Sequence, residues 1–168
     1  MENIKIIDDF FSDDILIEIK NFIINADWQS GNTEIILSDH WDRPFYKIDL
    51  NNNIFFSNFL LKIIEKKINK KIALERVNLF GYNYCQHNVF HFDSDCKNKI
   101  TFCYYINNKN VEFGDLYIKL PNEKKIICIE PITNRGVFFP ATYIHRGTSH
   151  KTNDLRICLA WKLILLDE

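Results

Sequence analysis

The sequence has little net charge, no paired cysteine motif and no long apolar run. Its 168 residues carry a formal net charge of −1, so no general electrostatic attraction to nucleic acid or to an anionic membrane is expected. No stretch approaches the roughly 18 to 20 consecutive apolar residues that span a bilayer. The segment Met1–Lys5 lacks the basic and apolar runs of a signal peptide. We therefore expect a cytoplasmic protein with no membrane or nucleic-acid partner.

The cysteines are odd in number and none forms a CxxC pair. They are Cys85, Cys96, Cys103, Cys128 and Cys158. Such usage is typical of reduced thiols in a cytosolic protein. Apolar residues make up 46% of the chain and aromatic residues 14%, which suits a single domain over residues 1–168 that needs no disulfide. No pattern in the sequence indicates an oligomeric state.

Hydrophobic periodicity divides the chain into a supporting part, 1–71, and a strand-rich core, 72–166. In the first part, the periodicity predicts one helix after Ser12 and another from about Ile54 to Asn69. In the second part, short runs rich in Ile, Val, Phe and Tyr are separated by turn residues. These runs are 74–82, 88–93, 99–106, 115–120, 125–130, 136–140, 143–146 and 155–165. The pattern predicts a mostly β fold, an antiparallel sandwich or jelly roll, with two N-terminal helices packed on one sheet.

The motif His91-Phe92-Asp93 is the first candidate for chemistry. On a strand, residues i and i+2 project to the same side, so the imidazole and the carboxylate share one space. A mononuclear Fe(II) oxygenase needs two histidines and one carboxylate on one face of the metal. His145 follows the apolar run 136–140 and lies 52 positions after Asp93, which suits a third ligand from a distant strand. HxD by itself is a weak signal, because it occurs by chance in many chains.

Arg156 opens the last apolar strand, eleven positions after His145. A charged side chain that points inward needs a partner. A guanidinium can bind the distal carboxylate of a dicarboxylate through two parallel hydrogen bonds. An arginine at a strand end in solvent is the ordinary alternative.

With these residues in place, the segment from roughly Val77 to Leu165 resembles the catalytic core of the prolyl-hydroxylase-like branch of the 2-oxoglutarate/Fe(II) dioxygenases. The resemblance is carried by the order of the segments: 81–84, the HxD strand, 100–107, 112–116, 131–139, His145 and Arg156. It implies a double-stranded β-helix, the cupin-like jelly roll. It also implies hydroxylation of an unactivated C–H bond with Fe(II), 2-oxoglutarate and O2, giving succinate and CO2, with ascorbate as a reductant. A prolyl residue in a peptide or protein is the first expected substrate, and a small molecule is the other.

The same resemblance assigns roles to individual residues. His91, Asp93 and His145 become the iron ligands, and Arg156 becomes the anchor for the distal carboxylate of 2-oxoglutarate. Tyr105 matches a tyrosine that donates a hydrogen bond to that carboxylate, and it shares a strand face with Thr101 and Cys103. Tyr82 or Tyr84 matches another tyrosine that faces the cosubstrate. Each tyrosine is otherwise an ordinary core aromatic.

The chain departs from the family's pattern at two places, and some assignments stay open. Many relatives have Gly-Gly where this chain has Gly114-Asp115, and the interval from His145 to Arg156 is longer than usual, with His150 in the insertion. The substrate side is predicted in the loop 38–47 and at one further histidine. The residues named for it are His40, Trp41, Arg43 and His87.

Two other readings remain. Cys85, His87, His91, Asp93 and Cys96 crowd into twelve residues, and thiolates with imidazoles suit structural zinc, although paired spacings such as CxxC are missing. The second reading is a catalytically silent cupin-like binding or structural protein. The intact triad together with Arg156 speaks against it.

Overall fold

Two antiparallel β-sheets, one large and one small, form most of the structure, which is a computed structural model. It describes residues 4–30, 46–84, 88–106, 113–121, 123–152 and 154–166. The helices are α1 (Asp13–Ile24) and α2 (Leu60–Ile68), and a π-helical turn, Phe55–Phe59, leads into α2. The strands are β1 (Lys5–Ile7), β2 (Gln29–Ser30), β3 (Tyr46–Asp49), β4 (Ile72–Tyr82), β5 (Lys99–Tyr105), β6 (Leu116–Lys119), β7 (Ile126–Ile129), β8 (Gly136–Pro140), β9 (His145–Gly147) and β10 (Arg156–Leu165).

Strand β10 lies at the centre of the larger sheet. That sheet has seven strands in the order β1-β8-β5-β10-β4-β3-β2, and the smaller sheet has three in the order β7-β6-β9. β10 pairs with β4 on one side and with β5 on the other, which places Arg156 opposite Tyr82 and Lys162 opposite Thr101. The prediction of a mostly β jelly roll with two N-terminal helices is confirmed.

One face of the larger sheet is covered by the helices and built from large apolar side chains. Its buried members on the sheet are Ile72, Val77, Leu79, Phe102, Tyr104, Phe138, Leu159, Trp161 and Leu163. Trp161 donates its indole N–H to the carbonyl of Phe56 at 3.1 Å, which ties β10 to the π-helical turn. Because side chains alternate along a strand, the residues between these project to the opposite face.

That opposite face packs against the smaller sheet. The apolar members of this second core are Cys103, Tyr105, Leu116, Ile118, Ile129, Val137, Phe139, Cys158 and Ala160. Cysteine and alanine replace the large aromatics of the first face at several of these positions. The predicted cosubstrate residues Tyr82, Tyr105 and Arg156 lie on this face, whereas the predicted metal ligand His145 lies on β9 of the smaller sheet.

Helix α1 begins after Ser12, as predicted, whereas the helix predicted from about Ile54 starts as the π-helical turn Phe55–Phe59 and becomes α-helical only at Leu60. Ser12 has the extended backbone of an N-cap, but its side chain forms no capping hydrogen bond with any described residue. Its carbonyl accepts the N–H of Leu16 at 2.9 Å, so the backbone alone starts α1. At the end of α2, Asn69 adopts the left-handed conformation with a φ of 54°, as is common at helix C-termini. Among the described residues, no helix has the length and apolar character that crossing a membrane requires.

The prediction of a continuous strand over 88–93 is wrong. Within this run, all of which is described, His91 alone makes a β-bridge, and its partner is His145. The N–H groups of Asp93 and Ser94 both donate to the carbonyl of Ala141, at 2.9 and 3.2 Å. Two consecutive donors on one carbonyl are incompatible with a regular ladder, so the segment bends after its single bridge.

Candidate metal centre

The bridge between His91 and His145 brings the HxD motif to β9. The N–H of His91 donates to the carbonyl of His145 at 3.0 Å, and the N–H of His145 donates to the carbonyl of His91 at 2.8 Å. Phe92, between the two motif residues, is 57% exposed. The i, i+2 geometry predicted for His91 and Asp93 is therefore present locally, although the segment is not a full strand.

The three predicted ligands converge on one point. Nε2 of His91 lies 3.7 Å from Oδ1 of Asp93, and Nε2 of His145 lies 3.5 Å from Oδ2 of the same carboxylate. One donor atom from each of the three residues lies within 4.8 Å of the others. These separations match three ligands on one face of a single ion.

The other ring nitrogen of each histidine is held by the backbone. Nδ1 of His91 lies 2.9 Å from the carbonyl of Val89, and Nδ1 of His145 lies 3.0 Å from the carbonyl of Tyr143. A carbonyl can only accept, so Nδ1 carries the proton in both rings. Nε2 is left with its lone pair directed at the common point, as in protein metal sites.

Burial and neighbouring charges set the protonation states of His145 and Asp93 to those that bind a cation. Burial lowers the pKa of His145 to about 4, so its imidazole is neutral at neutral pH. Burial alone would raise the pKa of Asp93, but Lys162, His145 and the hydrogen bond from Thr101 together outweigh it, and the pKa lies below its ordinary value. A neutral imidazole at His145 and an ionised carboxylate at Asp93 are the protonation states that metal binding requires of these two residues.

Two residues at the centre were missed by sequence reasoning. Lys162 donates from Nζ to Oδ2 of Asp93, and Thr101 donates from Oγ1 to the same oxygen at 2.5 Å. Lys162 also lies 3.4 Å from Oγ1 of Thr101. The signal that could have found Lys162 is the alternation of β10, because it shares a strand face with Arg156.

Next to the metal ligands lies a buried corner around Arg156, which is only 2% exposed. Its Nε donates to the carbonyl of Gly114 at 2.6 Å, and its guanidinium lies over the rings of Tyr82 and Tyr105, 5.3 and 5.4 Å from their centroids. Among the described residues, no carboxylate pairs with it. The Tyr105 hydroxyl is buried and forms no hydrogen bond with a described residue. Burial raises the pKa of Tyr105, so the hydroxyl keeps its proton and can donate.

His150 and two glycines complete this corner. Gly114 has a φ of +91°, and a Cβ there would lie 2.4 Å from Cδ2 of His150 and 3.3 Å from Cδ of Arg156. A Cβ on Gly147 would lie 3.2 Å from the terminal nitrogens of Arg156. Both ring nitrogens of His150 are buried without a hydrogen-bond partner in the described part of the chain. Burial and the nearby Arg156 lower the pKa of His150 to about 4.

The remaining predicted site residues separate into three groups. Tyr82 lies in the corner, where its hydroxyl accepts a hydrogen bond from Asn88 at 2.9 Å, whereas Tyr84 is 51% exposed beyond the end of β4. Cys96 is exposed and its thiol lies 3.6 Å from a carboxylate oxygen of Asp95, outside the three-residue cluster. The other predictions lie outside the described residues: His40, Trp41, Arg43, Cys85 and His87.

Comparison with solved structures identifies the fold. A 2OG-Fe(II) oxygenase family oxidoreductase from Burkholderia pseudomallei superposes with a TM-score of 0.77 at 8% identity, covering 97% of this chain and 85% of that one. A prolyl hydroxylase from Trichoplax adhaerens, in complex with a hypoxia inducible factor oxygen degradation domain peptide fragment, gives 0.72 at 18% identity, covering 98% and 84%. The fold is that of the 2OG-Fe(II) oxygenases. The predicted double-stranded β-helix is thereby confirmed.

The 2OG-Fe(II) oxygenase fold also includes enzymes with other reactions. The non-heme alpha ketoglutarate dependent epimerase SnoN from nogalamycin biosynthesis superposes with a TM-score of 0.68 at 9% identity, covering 96% of this chain and 76% of that one. No protein-family model and no curated protein sequence matches this chain.

The donor set at the centre fits Fe(II). Two imidazoles and one carboxylate on one side of a common point form the arrangement that mononuclear non-haem iron takes in 2OG-Fe(II) oxygenases, with the opposite side open. The open side is where His91 lies, because its side chain is 38% exposed while that of Asp93 is 8% exposed. No thiolate belongs to the cluster among the described residues, so softer metals gain no ligand there.

Proposed function

We propose that the protein is an Fe(II)- and 2-oxoglutarate-dependent dioxygenase that hydroxylates an unactivated C–H bond. The observation that carries the proposal is a buried arginine near the His91, Asp93 and His145 cluster that lacks an acidic partner among the described residues. Its guanidinium lies close to Gly147, two residues after His145 on β9. A dicarboxylate that reaches from the metal to Arg156 supplies that partner. Bound iron supplies the oxidative chemistry, with succinate and CO2 as coproducts.

In this proposal the chain's own residues bind and orient. His91, Asp93 and His145 hold the iron. Arg156 and the Tyr105 hydroxyl bind the distal carboxylate of 2-oxoglutarate, with the Tyr82 ring against the guanidinium. The low exposure of this corner excludes water, which strengthens the charge pairing. Tyr84 is too exposed to belong to the corner and fits the substrate side better.

For the substrate, we propose a prolyl residue in a peptide or protein. The support is the fold likeness to the Trichoplax adhaerens prolyl hydroxylase, whose structure contains a peptide fragment. Val89, two residues before the exposed ligand His91, offers an apolar side chain that is 41% exposed. A small-molecule substrate is the alternative that the epimerase SnoN illustrates. A cytoplasmic location and ascorbate as reductant belong to the same proposal.

The test is succinate release from 2-oxoglutarate. We expect purified protein with Fe(II), 2-oxoglutarate and ascorbate to release succinate slowly without substrate and faster with a prolyl peptide that is accepted. His91→Ala and Asp93→Ala should abolish release while circular dichroism shows an intact fold, because each removes a metal ligand. Cys96→Ser is the matched control, since this exposed thiol lies close in sequence but outside the cluster.

Two outcomes contradict the proposal. Preserved succinate release in either ligand variant would remove the assigned metal centre. Absence of release from the wild type, together with stoichiometric zinc that resists chelators, would favour the structural zinc reading instead.

A further inference from the structure

Lys162, on the central strand β10, contacts Asp93, one of the proposed metal ligands. Its side chain is 12% exposed, and that of its partner Asp93 is 8% exposed. An ammonium this far from solvent needs a carboxylate or several acceptors. Among the described residues its partners are Oδ2 of Asp93 and, at 3.4 Å, Oγ1 of Thr101.

The two oxygens of Asp93 have different surroundings. Oδ2 accepts hydrogen bonds from both Thr101 and Lys162, which occupies both of its lone pairs. Each oxygen faces a ligand histidine, since Oδ1 lies 3.7 Å from Nε2 of His91 and Oδ2 lies 3.5 Å from Nε2 of His145. Only Oδ1 accepts no hydrogen bond from the described residues and keeps its lone pairs free for a metal. The carboxylate is thus prepared to bind a metal through one oxygen.

We propose that Lys162 is a positioning residue of the metal centre. Together with Thr101 it holds Oδ2 of Asp93, so that Asp93 presents Oδ1 alone to the metal and the coordination positions opposite the triad stay free. This inference rests on the proposed function. The position of Lys162 has a second consequence for metal affinity, because a positive charge next to a divalent cation repels that cation. Lys162 therefore makes the centre bind its metal more weakly than the three ligands would without it.

Co(II) is the probe, because its visible absorption reports coordination number and its binding can be measured without turnover. Lys162→Met removes the hydrogen bond and the charge. We expect it to bind Co(II) at least about tenfold more tightly than the wild type. We also expect weaker visible bands, because the freed Oδ2 adds a ligand, and a higher Kd for 2-oxoglutarate, which then competes with Oδ2 for a coordination position.

Lys162→Gln separates the two effects. Its amide can still donate to Oδ2 but carries no charge, so we expect tighter Co(II) binding with the wild-type spectrum. Lys99→Met is the matched control, because Lys99 lies on the neighbouring strand β5 and pairs with Glu75 at 2.8 Å instead of Asp93. It should bind Co(II) like the wild type. Circular dichroism and urea unfolding of each variant check the fold.

The inference is overturned if Lys162→Met leaves both the Co(II) affinity and the spectrum unchanged, or if Co(II) binding weakens in both Lys162 variants. If Lys162→Met does not fold, Lys162→Gln decides, and equal or weaker Co(II) binding in that variant overturns the inference. A wild type that takes up no Co(II) contradicts the proposed function and the inference with it. If the wild type takes up Co(II) and the Lys162 variants bind it with the wild-type affinity and spectrum, only the inference is contradicted.

Discussion

The two faces of the larger sheet are made by the same strands but differ in how their polar groups are used. On the helix-covered face, Tyr104 donates its hydroxyl to Asn134 at 2.9 Å and Trp161 donates to the backbone of Phe56 at 3.1 Å. On the inner face, the Tyr105 hydroxyl and the side-chain oxygen of Asn78 are buried without a hydrogen-bond partner among the described residues.

Buried polar groups are rarely left unpaired, since each costs ~1 to 3 kcal/mol of stability. The difference between the faces therefore separates a structural core from a binding space. The helix-covered face is complete by itself, whereas the inner face has polar groups that a ligand would satisfy. The following predictions test this contrast, from the largest expected effect to the smallest.

Truncation of a large side chain should lower the free energy of unfolding most on the helix-covered face. Phe102 is fully buried and stacks on Phe138 with centroids 4.1 Å apart. Phe102→Ala should lower the free energy of unfolding by ~3 to 5 kcal/mol, measured by urea denaturation. Cys103→Ala, one residue along and on the inner face, is the control and should cost less than ~2 kcal/mol. Equal losses would show that the inner face is as tightly packed as the other.

Removal of the buried guanidinium should affect binding far more than stability. Arg156→Met should weaken 2-oxoglutarate binding ~100-fold, because a charge-assisted pair of hydrogen bonds is lost. Isothermal titration of the Mn(II)-loaded protein without oxygen measures this. The free energy of unfolding should stay equal or rise, because the arginine is buried without an acidic partner among the described residues. The opposite pattern, intact binding with lost stability, would make Arg156 a structural residue.

Arg135 is the control arginine. It forms an exposed two-point ion pair with Asp8, at 2.6 and 2.9 Å. Arg135→Met should leave 2-oxoglutarate binding unchanged. A loss of affinity comparable to that of Arg156→Met would mean that the assay reports general damage to the fold.

The metal-free protein should lose stability in mild acid. The folded-state pKa of His150 is lowered from 6.5 to about 4, so between these values the unfolded chain binds a proton that the folded chain does not. Stability is fully present above about pH 6.5 and falls as the pH decreases toward about 4, with a slope approaching ~1.4 kcal/mol per pH unit for this histidine. Urea unfolding at pH 7, 6, 5 and 4.5 measures the slope.

His150→Gln should make this pH dependence shallower. Ser149→Ala, the adjacent buried residue that does not titrate, should leave the slope as in the wild type. Identical slopes for His150→Gln and the wild type would show that the ring is protonated or solvated in the folded state.

The adjacent tyrosines of β5 offer the finest comparison. Tyr104→Phe removes a hydrogen bond to Asn134 and should lower the free energy of unfolding by ~1 kcal/mol without changing 2-oxoglutarate binding. Tyr105→Phe removes a hydroxyl without a partner among the described residues, so stability should hold while the Kd for 2-oxoglutarate rises ~5- to 10-fold. Titration with 2-oxoglutarate and urea denaturation of both variants measure the two quantities. If both variants change the Kd and the free energy of unfolding in the same way, the two faces do not differ as proposed.

Much of the candidate site could be predicted because it depends on local geometry. The i, i+2 relation of His91 and Asp93 requires only an extended segment. The direction of Tyr105 follows from alternation along β5. Arg156 was identified because a charge that leads an apolar strand is unusual. Each of these signals is contained in a few neighbouring residues.

The parts that could not be predicted depend on non-local pairing. The contact of Lys162 with Asp93 requires the register of β10 against β5, which places Lys162 opposite Thr101. That register cannot be deduced from either strand alone. The choice between Tyr82 and Tyr84 depended on where β4 ends, and strand ends are weakly encoded. The segment 88–93 has strand-like composition, but both consecutive N–H groups of Asp93 and Ser94 turn toward Ala141.

The central position of β10 has a consequence for how the chain folds. β4 and β5 lie on either side of β10 and do not pair with each other, so the sheet has a gap one strand wide until β10 enters it. A ribosome synthesises β10 after every other described strand, and the strand brings Arg156 and Lys162 with it. During synthesis, closure of the sheet and completion of the site are therefore the same late event. A chain clipped before residue 156 would expose two strand edges to other chains, which invites aggregation, and would lack the arginine proposed to bind the cosubstrate.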